Sequence, residues 1–512
     1  MISSNSTYQN FNVYYGDLHN HCHEVGYGYG SVAEAYNNAR QQLDFASVTA
    51  HAYWPDIPQN EARLVRTVNY HLDGFKRASK AWQHLLAVTE DVYERDRFVS
   101  FPSFEWHSLQ HGDHNVYFKE ARGDIIRAAN LAEMRTHLRQ LQAQGLSTFL
   151  LPHHIGYLQG HRGINWNDFS PEFSPVVEII SMHGLAESDD ALYPYLHTMG
   201  PRDERGTMQY ALKTGKIFGV IGSTDHHSAF PGSYGYGRVA VWADELSREG
   251  IWEAIAARRT YALSGDRIRL AFSINGAPMG AILPSTPERQ IDVDVTGGDT
   301  LDYVELLHNN RVIHRWNGFE NDSKDTVGAK KVFLELGWGE QNILTNWQVE
   351  LDIIDGKLLA VEPRFRGRDI LAPKETGLPR DSLGMWERCG ENSVHFSTQT
   401  WGNPTIFTPA TQGVCLEILG TDTTKIRSKI NKRTVQVTSG ELASGARTGY
   451  LGDFLSPAYC FHRAVPSAGY TCHISFAHQV ESAIRDWYYV RVRQKNNQGA
   501  WSSPIWIDKR CD

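Results

Sequence analysis

Residues 16–24 read GDLHNHCHE, which sets three imidazoles and two carboxylates within nine positions. Side chains alternate between faces along a strand, so His19 and His21 at a strand end point the same way and can chelate one ion. A lone H-x-H is more often a pair of loop histidines, and a lone D-x-H or an isolated glutamate says even less. Recurrence changes that weighing. His51 follows ASVTA, Glu105 ends VSFPSF, His114 opens a run after QHGD, and His153 and His154 end FLLP. Glu178 and His183 lie in VVEIISMH, and Asp225, His226 and His227 end GVIGST. Leaving that many imidazoles and carboxylates buried and unpaired is costly, and divalent ions remove the cost. Nitrogen and oxygen donors without thiolates fit zinc, manganese or iron rather than a Cys-rich structural zinc site. A carboxylate such as Glu105 can bridge two ions about 3.5–4 Å apart, the arrangement two-metal hydrolases use to activate water.

These residues need strands to carry them. Strand-like runs are expected near Val13–Leu18, Phe45–Thr49, Phe98–Phe104, Asn115–Phe118, Thr148–Leu151, Val176–Ile180 and Ile217–Ile221, alternating with helical stretches. That alternation points to βα units around a parallel sheet or barrel, whose active sites lie at the C-terminal edge of the strands. Ser31 with Glu34 forms a capping-box pattern, and Gly145 and Gly215 sit where helices 131–145 and 208–215 should stop. After about Ile268 the texture becomes alternating, as in IRLAFSING and QIDVDVTG, which predicts a second, β-rich domain closed by a hairpin in DWYYVRVRQKNNQGAWSSPIWI. Residues 362–448 are expected to form an irregular insertion. The division is therefore 1–267 and 268–512.

GDLHNH, SVTAH, FPSFEWH, GDHNVYF, LPHH and GSTDHHSAFPGSYGYG resemble, in order, the signatures of the PHP (polymerase and histidinol phosphatase) superfamily. They most resemble its large branch known as a domain of unknown function, which also contains aryl carbamate hydrolases. The resemblance covers roughly residues 14–265. It implies a distorted (β/α)7 barrel holding two or three divalent ions. His19, His21, Glu105 and Asp225 would hold the first ion, and Glu105, His114 and either His153 or His154 the second. His51 and His227 would contribute to a third; its remaining ligand is a histidine in the family, where this sequence has Tyr29 in YGYGS, so His23 or Glu24 is expected to serve instead. Ala50 stands where the family's second motif carries an aspartate. Asp17 is expected behind the first pair, orienting an imidazole through its free N–H. Glu178 and His183, together with Glu105 and Asp225, are the candidate catalytic groups, through substrate contact or proton transfer.

The 512 residues are 41% hydrophobic and 21% charged with a net charge of −8, which gives no basic field for nucleic acid. No stretch approaches the roughly 20 apolar residues of a membrane span, and the N-terminal residues lack a signal-peptide pattern, so a cytosolic protein is expected. Six cysteines at long, irregular spacings make a disulfide framework unexpected. The expected partner is a small-molecule ester, either a phosphoester or a carboxyl or carbamate ester. Tyr27, Tyr29, Tyr53, Trp54, Trp106, Tyr157, Tyr234 and Tyr236 are candidate pocket aromatics, and Arg162, Arg202, Arg205 and Arg238 candidate anion contacts near the mouth. The rivals are a catalytically decayed metal-binding or carbohydrate-binding protein and a PHP-type nuclease.

Overall fold

A computed structural model describes residues 6–195, 198–318, 327–341, 343–367, 384–402, 410–480 and 484–509. The first half supplies ten strands: β1 (Asn12–Asp17), β2 (Phe45–Tyr53), β3 (Val99–Trp106), β4 (His114–Phe118), β5 (Thr148–Pro152), β6 (Val176–Ser181), β7 (Gly184–Leu185), β8 (Gly219–Gly222), β9 (Arg238–Ala243) and β10 (Thr260–Leu263). Five helices accompany them: α1 (Val32–Ala39), α2 (Val65–Asp91), α3 (Leu131–Ala143), α4 (Met208–Lys213) and α5 (Arg248–Ala256). Helix α1 carries the expected Ser31/Glu34 capping box. Gly145 takes a φ of +79° just past α3, a left-handed turn that glycine adopts without strain. Helix α2 was not read from the sequence, although its buried positions Val68, His71, Phe75, Ala78, Trp82 and Leu85 recur every three or four residues.

Apolar side chains of β2–β6, β8 and β9 meet in one cluster that includes Phe45, Phe101, Tyr117, Leu151, Val176, Ile221 and Val241. The hydrogen-bonding around this cluster departs from the expected (β/α)7 barrel. Only β1–β2–β3 and β6–β8 pair in parallel. β4 lies antiparallel to both β3 and β5, and β9 antiparallel to β1 and β10. The physical reason is linker length: residues 107–113 are too few for the crossover of a dozen or more residues that a parallel pairing needs. β6 and β8 form a separate ladder. It is joined to β5 through Leu150 N donating to Phe173 O (2.8 Å) and to β10 through Thr260 Oγ1 donating to Val220 O (2.9 Å). The result is strand-rich mixed α/β, with few helices.

Residue 267 marks no break in hydrogen bonding. β10 pairs with strand Gly499–Ser502, so the C-terminal strands continue the first-half sheet, thirteen strands in all. The expected hairpin is present as 485–494, 499–502 and 505–508. Its inner face packs on a four-stranded sheet formed by 269–274, 277–278, 288–296 and 471–479, with Leu270, Phe272, Val293, Val304, Leu306 and Val490 between them. Residues expected to be irregular, 362–448, prove largely regular. Between 327 and 466 the described residues build a nine-stranded antiparallel sheet, while 368–383 and 403–409 lie outside the described residues. Its long strands 344–363 and 412–430 bury alternate apolar positions but end in Thr-, Lys- and Gly-rich stretches, which blurred their period.

Candidate metal centre

The strands deliver their polar ends to one edge. β1, β2, β3, β5 and β8 end there, and His114 opens antiparallel β4 at the same level, opposite Trp106 and Pro152. A bridge between Asn20 and His226 and a bond from Thr49 N to Asn20 O tie the β1, β2 and β8 ends together.

Asp225 sits at the middle of the centre. Its Oδ1 lies 3.2 Å from His19 Nε2 and 3.0 Å from His21 Nε2, and the two imidazole nitrogens are 3.0 Å apart. His21 Nδ1 donates to the Thr49 carbonyl at 2.8 Å, so in the neutral ring Nε2 carries the lone pair. That lone pair then faces a carboxylate oxygen with no proton to share. All four groups are at most 1% exposed, so water cannot relieve the clash. A cation between them does. Tetrahedral coordination at about 2.0–2.1 Å places ligand atoms roughly 3.3 Å apart, close to the triangle observed.

Glu105, 2% exposed, forms the second focus. Its Oε1 lies 2.9 Å from His153 Nε2 and 3.0 Å from His107 Nδ1, and its Oε2 lies 3.6 Å from both His21 Nε2 and His51 Nε2. Burial pushes the Glu105 carboxyl up, but His107 and His153 outweigh it and hold the group well below the usual carboxylate range. Asp225 is likewise pushed up by burial and drawn well down by His19, His183 and His21. Burial, reinforced by neighbouring imidazoles, keeps His51 and His154 well below the ordinary histidine value and His227 at about 3. Ionised Glu105 and Asp225 beside neutral His51, His154 and His227 are in the protonation states that metal ligation requires, whereas His107, which burial alone would lower, is raised by Glu105 and Asp113.

Among the described residues four groups in and around this edge could hold an ion: His19, His21 and Asp225; His21, His51 and the partly buried His227; Glu105, Asp113, His153 and His154; and His154, His183 and Asp225. Both histidines of the LPHH motif therefore enter the centre. His114 enters none of these groups; its Nδ1 is held by Gly112 O at 2.9 Å, and the neighbouring Asp113 points in instead. His107 was also missed, although E-x-H in FEWH carries the same two-residue signal as H-x-H.

Several expected roles are exchanged. Asp17 does not touch an imidazole. Its Oδ1 accepts His19 N (3.1 Å) and Thr224 N (3.0 Å), and its Oδ2 accepts Gly232 N (2.8 Å) and the Thr224 hydroxyl. The imidazole-orienting part falls to Glu178, whose Oε2 lies 3.0 Å from His19 Nδ1. His183 sits with its Nε2 2.9 Å from Asp225 Oδ2 and its Nδ1 2.8 Å from the Tyr157 hydroxyl. His23 is exposed, and Glu24 caps α1 by accepting Val32 N at 2.9 Å, so neither joins a cluster. Beside His51 and His227 stands Tyr27 rather than Tyr29, its ring stacked on His51 with centroids 3.4 Å apart.

The centre opens into a cleft of about 530 Å³ lined by Tyr27, Trp54, Leu64, Tyr70, His71 and Met182, with Glu105, His154, His183, Asp225 and His227 at its floor. Of the four arginines expected near the mouth only Arg162 lines it. Arg162 is committed to Asp113 and to His107 Nδ1 (2.7 Å). Arg202 and Arg205 pair with main-chain carbonyls and Asp203, and Arg238 is buried against Gly232 O and Gln42. Tyr234 turns away to donate to Asp266 at 2.7 Å, and Trp106 donates to Ala128 O. No helix among the described residues is long and apolar enough to cross a membrane.

A buried, carboxylate-centred, histidine-rich cluster at one strand edge is the defining feature of this chain. A family model described as a protein of unknown function, DUF3604, matches residues 233–277. An uncharacterized protein of Chlamydia pneumoniae is 27% identical over 277 residues, 50% of this chain and 44% of that one. An uncharacterized protein of Chlamydia trachomatis is 31% identical over 194 residues, 34% of this chain and 31% of that one. The chain thus spans less than half the length of these curated relatives. A solved two-domain protein from Bacteroides vulgatus, described as containing a predicted PHP-like metal-dependent phosphoesterase, aligns over 91% of this chain and 96% of its own. Its identity is 13% and its TM-score 0.31, too distant to carry an inference.

Proposed function

We propose that this chain is a metal-dependent hydrolase whose two or three divalent ions activate water against a small-molecule ester. The observation that carries the reading is His21 Nε2 held 3.0 Å from Asp225 Oδ1 and 3.0 Å from His19 Nε2 in a buried pocket, donor atoms that a cation would hold together. His19, His21 and Asp225 would hold one ion and Glu105 with His153 a second, with His51 and His227 beside them. Bound there, the ions would bring the pKa of a water toward neutrality and polarise the bond to be cleaved.

The chain's own residues have separable tasks. Glu178 orients His19, and the Thr49 carbonyl fixes the tautomer of His21. Tyr27, Trp54 and Tyr70 offer flat apolar walls to an organic group, while Arg162, tied to Asp113, lies 3.6 Å from Glu105 Oε1 and offsets part of its charge. His183, backed by the Tyr157 hydroxyl, faces the cleft with its Nε2 2.9 Å from Asp225 Oδ2, within reach of a bound substrate.

The test is reconstitution. Chelator-stripped protein reloaded with manganese or zinc is assayed against aryl phosphate, aryl acetate and aryl carbamate esters. Hydrolysis that is lost on stripping and restored by metal supports the proposal, and the preferred ester names the acid component. A protein that retains metal but cleaves none of these esters would be a binding protein instead, and cleavage of single-stranded DNA would favour the nuclease reading.

A further inference from the structure

Asp225 is used on both sides. Its Oδ1 faces His19 and His21, whereas its Oδ2 lies 2.9 Å from His154 Nε2 and 2.9 Å from His183 Nε2. The His154 and His183 rings are 4.0 Å apart, so two imidazole nitrogens and one carboxylate oxygen converge on a point away from the first triangle and on the cleft side.

Two further observations bear on that point. His154 and Asp225 both have a φ of +52°, the left-handed region that non-glycine residues rarely adopt. Such strain of about 1–3 kcal/mol persists where surrounding structure forces it, and it gathers at ligand sites. In addition, His154 Nδ1 is buried and has no hydrogen-bond partner among the described residues. On His183, a proton on Nδ1 donated to the Tyr157 oxygen at 2.8 Å would place the Nε2 lone pair on the side of Asp225 Oδ2.

We propose that His154, His183 and Asp225 form a separate divalent transition-metal position facing the cleft, with Asp225 bridging it to the His19–His21 ion. This rests on the reading of the edge as a metal centre; it shares His154 and Asp225 with neighbouring clusters and is set apart by His183, which takes no part in the other buried clusters among the described residues. The donor set of two nitrogens and one oxygen suits zinc, manganese or iron and leaves a coordination position toward the cleft for water or a substrate oxygen. A substrate bound there would meet an ion on the side of Asp225 opposite the buried ions.

Metal stoichiometry tests this. Full-length protein stripped with chelator is titrated with zinc by calorimetry and its content checked by elemental analysis, for wild type, His183→Ala, His183→Gln and Tyr157→Phe. The expected result is one zinc equivalent fewer in both His183 variants with the remaining equivalents unchanged. Tyr157→Phe should keep that equivalent but bind it about 10–100-fold more weakly. Both His183 variants binding the wild-type number of equivalents at wild-type affinity would overturn the site while leaving the proposed hydrolase intact. A wild type that binds no zinc, manganese or iron would overturn both.

Discussion

Asp17→Asn is the most informative single change, because it alters one atom and meets the candidate ligand His19 only through its main-chain N–H. The aspartate staples the end of β1 to the loop after β8 through two bonds at Oδ1, from His19 N and Thr224 N, and two at Oδ2, from Gly232 N and the Thr224 hydroxyl. An asparagine placed with its carbonyl at Oδ1 keeps the first two bonds, and the Thr224 hydroxyl can rotate to accept from the new amide. Gly232 N–H cannot; it meets a second donor in a fully buried site. An orphaned buried donor costs about 1–3 kcal/mol. The two retained bonds lose their charge assistance, about 1 kcal/mol each. The sum, about 3–5 kcal/mol, predicts roughly 10²–10⁴-fold faster hydrogen–deuterium exchange for amides of the 222–235 loop, since each 1.4 kcal/mol is a factor of ten. Mass spectrometry of peptides from that loop reads the change, with peptides from the 327–466 sheet as internal controls. Asp225 and His227 ride on the loop, so zinc affinity should fall in the same variant. Wild-type exchange across 222–235 in Asp17→Asn would refute the staple and return Asp17 to an ordinary turn residue.

Glu105→Gln should lower both metal content and ester turnover by more than ten-fold, because Glu105 lies between His153 on one oxygen and His21 and His51 on the other; near wild-type content by elemental analysis would remove it from the centre. Stability of the metal-free protein should fall with acid from about pH 6.5 downward. Burial holds His114 and His227 near 3 and His71 near 4. Below 6.5 the unfolded chain therefore binds more protons than the folded one, each such histidine removing about 1.4 kcal/mol per pH unit. A melting temperature unchanged between pH 7 and 5 would contradict those buried neutral rings. Arg364→Ala should destabilise by about 3–5 kcal/mol, because it strands the buried Asp266 carboxylate, now 3.1 Å from the guanidinium. Thermal or urea unfolding measures that loss, and a drop below about 1 kcal/mol would show the pair to be replaceable.

What the sequence made legible follows from range. Strand ends carrying His19, His21, His51, Glu105, His153, His154 and Asp225 declare themselves through a two-residue period and an apolar run before them, and the structure gathers all of these on one edge. The partners that fix the ligands do not declare themselves. Asp17 and its donors Thr224 and Gly232 are more than 200 residues apart, and so are Asn20 and the His226 carbonyl that its side chain reaches at 3.0 Å. Strand direction was equally hidden. The run at 114–118 reads the same whichever way it is laid, and only the shortness of 107–113 turns it antiparallel.

The inserted sheet shows why local texture can mislead about organisation. Phe230, which belongs to the loop just after Asp225 and His227, joins the apolar cluster of its central strands, together with Val349, Leu351, Leu416 and Ile418. Gly367 leaves the same sheet and donates its N–H to Ser233 Oγ at 3.0 Å, and Arg366 lies over the Tyr234 ring, 4.8 Å from its centroid. Gly367 also approaches His226 and Phe230 so closely that a β-carbon there would overlap both rings. A segment that looks dispensable by composition is thus packed against the loop that supplies two candidate ligands. Removing 327–466 would uncover Phe230 and free the 230–236 turn, whose Gly232 N–H is one of the four donors to Asp17. The sheet and the staple therefore act on the same loop from opposite sides, and the geometry of Asp225 depends on both.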